Sequence, residues 1–202
     1  MTREMASESE GWEIVSSETR FKDDHLTVAT EKIRSPERPN ARTWTVVHRK
    51  RAVVIAAMTP EGDIILIRQE RLPIRATIWE VPAGQIDDAK ETDQSAIEAV
   101  ALRELREETG YELAEGGELT PLGDYFTSPG MTDERCYFFL ARPVCASASG
   151  HAHAEAESIL DCRAFSPREL SRMIGQNEIR DANTLAVCAR LAARGLILLG
   201  RE

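Results

Sequence analysis

Three glutamates stand close together in the middle of the chain, at Glu104, Glu107 and Glu108, and Gly110 follows them. Glycine commonly ends a helix, so this run is expected to form the last turns of one. On a helix, residues three and four positions apart lie on one face, which brings the three carboxylates together. Their repulsion is relieved when a hard divalent cation lies among the oxygens, because Mg2+ and Mn2+ favour carboxylate ligands. The spacing therefore predicts a metal-binding helix end.

A simpler interpretation of the same cluster is a solvated acidic surface at the end of a helix. Arg103 and Arg106 lie in the same run and offset part of the repulsion. Bare groups of glutamates are more often solvated than metal-bound, so the residues around the run must decide between the two interpretations.

The run from Arg103 to Tyr111 resembles the end of the Nudix box, where Arg-Glu, a bulky apolar residue, Glu-Glu, Gly and a second bulky residue follow at fixed spacing. Trp79 to Gly84 resembles the strand and turn that open the box. In the family, this motif forms a loop–helix–loop that holds a divalent metal against a diphosphate.

The resemblance implies a role for each box residue. Glu104 and Glu108 are the expected primary metal ligands, and Glu107 shares or supports the site. The main-chain carbonyl of Ala83 is expected to complete it, and Arg103 to orient the carboxylates. The implied cofactor is Mg2+, with Mn2+ as the other candidate.

The spacing of the box departs from the family's pattern. Gly84 lies nineteen positions before Arg103, five more than in the box, and Ser95 occupies the position of the first box glutamate. Glu91 is the better candidate for that role, because a displacement of four residues is about one helical turn and keeps the same face. Glu98 is a second candidate. The inserted residues leave the metal-facing end of the box unchanged.

The composition is that of an ordinary globular chain, with 42% hydrophobic and 29% charged residues among 202. This length suits one domain, or one with a small appendage. The net charge of −9 argues against a nucleic-acid partner, which needs a basic face. An anionic substrate would therefore be held by local arginines or by a metal.

Targeting and redox features favour a cytoplasmic location. No apolar run is long enough to span a membrane, and the first residues lack the apolar segment of a secretion signal. The four cysteines are scattered without close pairs, which favours free thiols in a reducing compartment over disulfides or zinc.

Residues 1–50 are expected to form a small antiparallel β subdomain. Apolar and polar residues alternate after Trp12, and a turn rich in breakers spans residues 35–40. Such a sheet buries little on its own, and packing on a second copy of the chain is one solution. From Ala52 to Met58 the chain is almost continuously apolar, which predicts a buried strand.

Two helices are predicted to flank the later strands. Residues 96–108 are expected to form the box helix, with Ala96, Val100 and Leu105 facing inward. Residues 181–193 are expected to form a closing helix. Its predicted packing face consists of small or apolar residues, namely Leu185, Ala186, Ala189 and Ala192.

Across most of residues 12–195, the chain resembles the ADP-ribose pyrophosphatase branch of the Nudix hydrolases. The resemblance implies an α/β fold, in which residues 51–202 form a Nudix α/β/α sandwich with a mixed sheet. Residues 1–50 would form the small N-terminal antiparallel β subdomain that makes the homodimer. The implied reaction is metal-dependent hydrolysis of a nucleoside diphosphate linked to another group, with ADP-ribose giving AMP and ribose 5-phosphate.

Substrate-binding residues follow from the same resemblance. Trp12 and Trp44 resemble aromatic residues that sandwich the adenine ring in related dimeric enzymes, and core burial is the alternative for both. Arg49 and Arg71 are expected to flank the phosphates, since arginine binds phosphate bidentately. Glu134 would accept ribose hydroxyls. A solvated strand end and a loop-tip acid are the alternatives for Arg71 and Glu134.

The general base is expected in the Ala-, Ser- and His-rich segment 146–158. A mobile loop lets a carboxylate approach the attacked phosphorus and withdraw for product release. In the family branch the second acid of such a pair is the base, which assigns Glu157, with Glu155 as helper or third metal ligand. His151 and His153 are more often solvent-facing than metal-binding in such a segment.

A different class of function stays open at this point. A Nudix-fold module that senses ADP-ribose or another nucleotide without cleaving it would have the same fold. The three box carboxylates favour the enzyme, and metal-dependent release of AMP separates the two. Within the enzyme class, NADH, sugar nucleotides and oxidised nucleotides are alternative substrates.

Overall fold

The computed structural model describes residues 10–87, 93–148 and 158–200 of the chain. Within these ranges, no helix is both long and apolar enough to cross a membrane.

The chain forms two compact units. The first joins the N-terminal strands, up to Lys50, with the segment Ser128–Glu134. The second contains Arg51–Thr127 and the chain from Arg135 onward. A segment distant in the sequence, Ser128–Glu134, thus packs with the N-terminal strands. The domain boundary at residue 50 stays a prediction.

The first unit is built on a three-stranded antiparallel sheet in the order β1-β2-β3. Its strands are β1 Glu13–Lys22, β2 Leu26–Ser35 and β3 Arg38–Arg49. The turn between β2 and β3 is limited to Pro36 and Glu37, shorter than predicted, because the strands continue pairing to Ser35 and Arg38. Every residue of β1 is exposed, so the predicted thin sheet is confirmed.

The second unit is built on a seven-stranded mixed sheet in the order β10-β5-β4-β9-β8. β6 pairs with β5 and β7 with β4, while β4 and β9 are parallel and the other pairs antiparallel. The strands are β4 Ala52–Met58, β5 Ile64–Arg71, β6 Ala76–Glu80, β7 Ala83–Gln85, β8 Tyr111–Phe126, β9 Arg135–Ala146 and β10 Ile159–Phe165. The helices are α1 Gln94–Thr109, α2 Pro167–Gly175 and α3 Ala182–Ala193.

Helices cover both faces of this sheet. Successive residues of a strand point to opposite faces, and β4 is buried along its whole length. Ile55 packs in one cluster with Leu105 of α1. Val54 packs in the other with Leu170 of α2 and Val187 of α3. The result is the predicted three-layer α/β/α arrangement around a mixed sheet.

The inward face of α3 differs from the prediction. Leu185 and Ala189 are exposed, and Thr184 is fully buried. The Thr184 hydroxyl donates to Asp181, the N-cap, at 2.7 Å and accepts from the Val81 amide at 3.0 Å. This pairing satisfies a buried polar group and fixes the start of α3 to the chain after β6. The fully buried residues are Thr184, Val187, Cys188 and Leu191. The predicted Ala186 and Ala192 are partly buried and pack against the same cluster.

Candidate active site

The acidic run occupies the last turns of α1, as predicted. Gly110 follows the helix with a φ of 71° and donates its N–H to the Arg106 carbonyl, a conformation that favours glycine. The inward side of α1 includes Val100 and Leu105, while Ala96 is half-buried rather than fully inward. The helix end is thus fixed by its cap and by the core.

Glu104 and Glu108 are buried on this helix, with 5% and 2% of their surface exposed. Glu108 Oε2 accepts a hydrogen bond of 2.8 Å from the backbone N–H of Ala83. Ala83 begins β7, where it pairs with Val54 of the buried strand β4. The short strand therefore ties the acidic helix end to the central sheet.

Gly84 allows β7 to approach the acidic helix closely. A Cβ atom at this position would lie 2.0 Å from Glu104 Cδ, well inside van der Waals contact. The glycine that opens the box is therefore required by packing against a box carboxylate.

Arg103 joins two of the box carboxylates. Its Nη2 donates to Glu104 Oε1 at 2.7 Å, and its Nη1 donates to Glu107 Oε2 at 2.9 Å. Partial burial works to lower the pKa of the Arg103 guanidinium, but the charges of Glu104 and Glu107 raise it above the usual value. These contacts suit an orienting residue, a role that stays a prediction.

The donor set fits a hard divalent cation. Mg2+ is usually bound by one or two carboxylates together with substrate phosphates and water, and Glu104 and Glu108 supply two buried carboxylates on one helix face. In the described ranges, no three His, Cys, Asp or Glu side chains are grouped closely enough to form a complete metal cage. The chemistry of the two glutamates therefore suits a metal shared with a phosphate ligand.

An ion pair between a half-exposed arginine and a buried glutamate near the box was not predicted from the sequence. Arg71 Nε lies 2.9 Å from Glu80 Oε1 and 3.2 Å from Oε2, and the second contact has hydrogen-bond geometry. Burial raises the pKa of Glu80 to about 7, although Arg71 acts in the opposite direction. Arg71 is thus engaged with Glu80 at the end of β5. Alternation along β6 could have indicated an inward-facing acid at this position.

The first unit contains the residues predicted for nucleoside binding. Trp12 is 57% exposed and Trp44 is 53% exposed in this chain, so neither has the burial of a core residue. Trp44 Nε1 donates to the Gly130 carbonyl at 2.9 Å. Arg49 Nε lies 3.1 Å from Glu134 Oε1, which pairs two predicted ligand contacts with each other.

The insertion in the box places Ser95 at the start of α1. Its amide and hydroxyl both bond to Asp93, the N-cap residue, so Ser95 serves the helix start. Glu98 accepts from Gln94 within the first turn at 2.8 Å. Several predicted residues lie outside the described ranges, namely Glu91, His151, His153, Glu155 and Glu157.

Comparisons with known proteins agree with this geometry. The NUDIX domain matches residues 48–188. The chain is 31% identical over 170 residues to the ADP-ribose pyrophosphatase of Bacillus subtilis (strain 168), covering 84% of this chain and 86% of the relative. It is 30% identical over 185 residues to the ADP-ribose pyrophosphatase of Mycobacterium tuberculosis, covering 92% and 84%.

A solved structure supports the fold alone. It is titled as the crystal structure of an ADP compounds hydrolase, and it matches with a TM-score of 0.72 at 16% identity. The match covers 95% of this chain and 100% of that chain. The predicted fold class is thereby confirmed.

Proposed function

Because the chain belongs to the Nudix family, we propose that it hydrolyses ADP-ribose to AMP and ribose 5-phosphate with Mg2+ or Mn2+. The observation that carries this proposal is the pair of buried carboxylates, Glu104 and Glu108, held against the backbone of β7. Two relatives named ADP-ribose pyrophosphatase, each about as long as this chain, support the substrate.

The proposed chemistry assigns a task to each group at the helix end. A diphosphate resists water because its charged oxygens repel a nucleophile, and a bound divalent cation neutralises that charge and orients water. Glu104 and Glu108 would hold the cation, with Glu107 in support and the Ala83 carbonyl as a further donor. Arg103, which donates to both Glu104 and Glu107, would hold these two carboxylates in fixed directions.

The nucleoside is assigned to residues of the first unit. We propose that Trp12 and Trp44 stack on adenine, since each exposes more than half of its surface. Glu134 would accept the ribose hydroxyls, and Arg49 would contact phosphate. In the second unit, Arg71 is assigned to phosphate because its guanidinium is anchored by Glu80 through Nε.

A homodimer and a cytoplasmic location complete the proposal. The apolar side chains of Ile14 and Phe21 on β1 are exposed in this chain, which suits a surface that a second copy covers. Sedimentation of the active enzyme tests this, and full activity in a monomeric species refutes it. All four cysteines are free thiols, which suits a reducing compartment.

The function is tested by hydrolysis of ADP-ribose in 18O-labelled water with and without Mg2+, with NADH and a sugar nucleotide as competing substrates. Metal-dependent release of AMP is the expected result, and binding of ADP-ribose without cleavage would identify a sensor instead. The position of the label identifies the attacked phosphorus.

The same assay tests the general base. We propose Glu157, with Glu155 as helper, so Glu157→Gln should lose most of its activity. If Glu155→Gln is inactive and Glu157→Gln is active, the two roles are reversed. If both variants retain the parent rate, the base lies elsewhere in the chain.

A further inference from the structure

His48, near the end of β3, lies between two carboxylates. Its Nδ1 is 2.7 Å from Asp133 Oδ2, and its Nε2 is 3.4 Å from Glu31 Oε1. Glu31 belongs to β2 and is 5% exposed, whereas Asp133 is half-exposed and belongs to the segment Ser128–Glu134. Both ring nitrogens therefore face an acceptor.

This arrangement favours the imidazolium form of His48. A neutral imidazole has one N–H and can donate to only one carboxylate, while the imidazolium has two and can donate to both. A neutral ring that donates to Asp133 would turn a lone pair toward Glu31. Since Glu31 is withdrawn from water, an unpaired charge there is costly.

The segment joined by this contact carries Glu134, and it contacts Trp44 and Arg49 of the proposed nucleoside site. It contacts β3 through main-chain and side-chain hydrogen bonds and one ion pair. These are Trp44 Nε1 to Gly130 O at 2.9 Å, Val47 N to Met131 O at 2.8 Å, Arg49 N to Asp133 Oδ1 at 3.0 Å and Arg49 Nε to Glu134 Oε1 at 3.1 Å.

We propose that His48 is a positioning residue, whose charged ring clamps the segment Ser128–Glu134 onto β3 and so fixes Trp44, Arg49 and Glu134 for the substrate. The ring itself does not touch the substrate. Loss of its proton leaves one N–H for two carboxylates and removes the positive charge that strengthens the contact with Asp133. The clamp is then weaker, so substrate affinity falls as the pH rises. This inference rests on the proposed function.

The charges around His48 agree with this direction. The hydrogen bond with Asp133 raises the pKa of His48 above its usual value, against the effect of partial burial, and Glu31 adds to the rise. Glu31 faces the ring from β2 and Asp133 from the opposite segment, while Glu134 and Arg49 pair with each other alongside. A raised pKa means that the clamp is complete at low pH and is lost as the pH passes the pKa of the folded state.

The test measures KM and kcat for ADP-ribose from pH 6 to pH 9 in the parent, His48→Gln and His48→Lys. In the parent, KM is expected to rise on the order of tenfold across this range, the effect of one charge-assisted hydrogen bond. His48→Gln should have a high KM at every pH, and His48→Lys, which keeps its charge, a low one. His25→Gln, an exposed histidine of the same unit, is the matched control and should follow the parent.

Hydrogen exchange tests the clamp without any substrate. After correction for intrinsic rates, the amides of Val47, Arg49 and Glu134 should exchange faster in His48→Gln than in the parent. Val47 and Arg49 donate to the segment Ser128–Glu134, and Glu134 donates to Thr132 inside it. The Leu26 amide, which donates to Asp23 at 2.8 Å, is the internal control and should not change.

The kinetic and exchange measurements distinguish failure of the proposed function from failure of the proposed role of His48. If ADP-ribose is not hydrolysed, the proposed function fails and so does the role of His48 in substrate binding, while the exchange rates still decide whether the clamp exists. If ADP-ribose is hydrolysed and the KM profiles of parent and His48→Gln coincide, the positioning role is overturned. Equal exchange rates in parent and His48→Gln overturn the clamp.

Discussion

The two units expose their functional candidates to water to different degrees. In the second unit, Glu104 and Glu108 are buried against the sheet and fixed by a backbone amide and an arginine. In the first, Trp12 and Trp44 expose more than half of their surface. Fixed charges act more strongly on a reacting group where water is excluded, whereas stacking surfaces must be open to the ligand. The two buried carboxylates are therefore suited to holding charge, and the two exposed rings to stacking on a ligand.

The titratable groups of the two units also differ in what shifts their pKa values. The pKa of His48 in the first unit is raised by its hydrogen bond with Asp133, which stabilises the charged form. The pKa of Glu80 in the second unit is raised to about 7 by burial, which disfavours the charged form. The same direction of shift thus has opposite physical causes.

The largest effect is expected at the buried carboxylates. Glu108→Gln should reduce kcat for ADP-ribose on the order of 10³-fold, because the amide is a far weaker metal ligand while its oxygen can still accept from Ala83. Steady-state kinetics and thermal unfolding measure the two properties. Glu118→Gln, an exposed glutamate of β8, is the control and should match the parent. Near-normal turnover of Glu108→Gln would remove Glu108 from the chemistry.

A smaller loss of kcat is expected when a side chain at Gly84 blocks the close approach of β7 to α1. Gly84→Ala places a methyl group 2.0 Å from Glu104 Cδ, so β7 or the carboxylate must move. Displacement on the order of 1 Å at a catalytic group can reduce rates about 10²-fold. The measurement is kcat for ADP-ribose at saturating Mg2+.

The control for this change is Gly175→Ala, at the end of α2, where an added Cβ meets no atom within 4 Å. It should leave kcat unchanged. If Gly84→Ala also keeps the parent rate, the contact between β7 and Glu104 does not limit turnover.

Replacement of Trp44 tests whether the exposed aromatic rings of the first unit bind the substrate. Trp44→Ala should raise KM for ADP-ribose about tenfold and change kcat less, since stacking on a base contributes about 1–3 kcal/mol. Trp44→Phe keeps a ring but loses the N–H that donates to Gly130, so it separates stacking from the loop contact. An unchanged KM in Trp44→Ala would show that the exposed ring does not hold the substrate.

The sequence predicted those secondary-structure elements that depend on residues close to one another along the chain. The continuous apolar run gave β4 with its bounds, and Gly110 gave the end of α1, because a cap and a buried strand leave signals within a few residues. The predicted inward face of α3 was wrong at Leu185 and Ala189 and right at Ala186 and Ala192. The sequence did not indicate Thr184, because its burial depends on Val81, a partner 103 positions away. The bond between His48 and Asp133 likewise joins residues 85 positions apart. Arg71 and Glu80 are only nine positions apart and meet through the pairing of β5 with β6.

Replacement of Glu80 is expected to change how the free energy of unfolding depends on pH. The pKa of Glu80 is about 7 in the folded chain and 4.5 without burial, so its ionisation destabilises the fold progressively as the pH rises between these values. The difference corresponds to a free energy on the order of 3 kcal/mol. Glu80→Gln, which cannot ionise, should therefore unfold at higher urea than the parent at pH 8 and at similar urea at pH 5.

Relative to the parent, His48→Gln should be less stable at low pH, and Glu80→Gln should be more stable at high pH. His48→Gln loses a favourable charged contact and is expected to be less stable than the parent at low pH, with the difference shrinking as the pH rises. Glu80→Gln gains at high pH because an unfavourable buried charge is removed. Urea unfolding of both variants from pH 5 to pH 8 measures this, with Glu118→Gln, at an exposed position of β8, as the control. If Glu80→Gln is instead less stable than the parent at pH 8, the ion pair with Arg71 outweighs the burial of the carboxylate, and Glu80 is ionised in the fold at neutral pH.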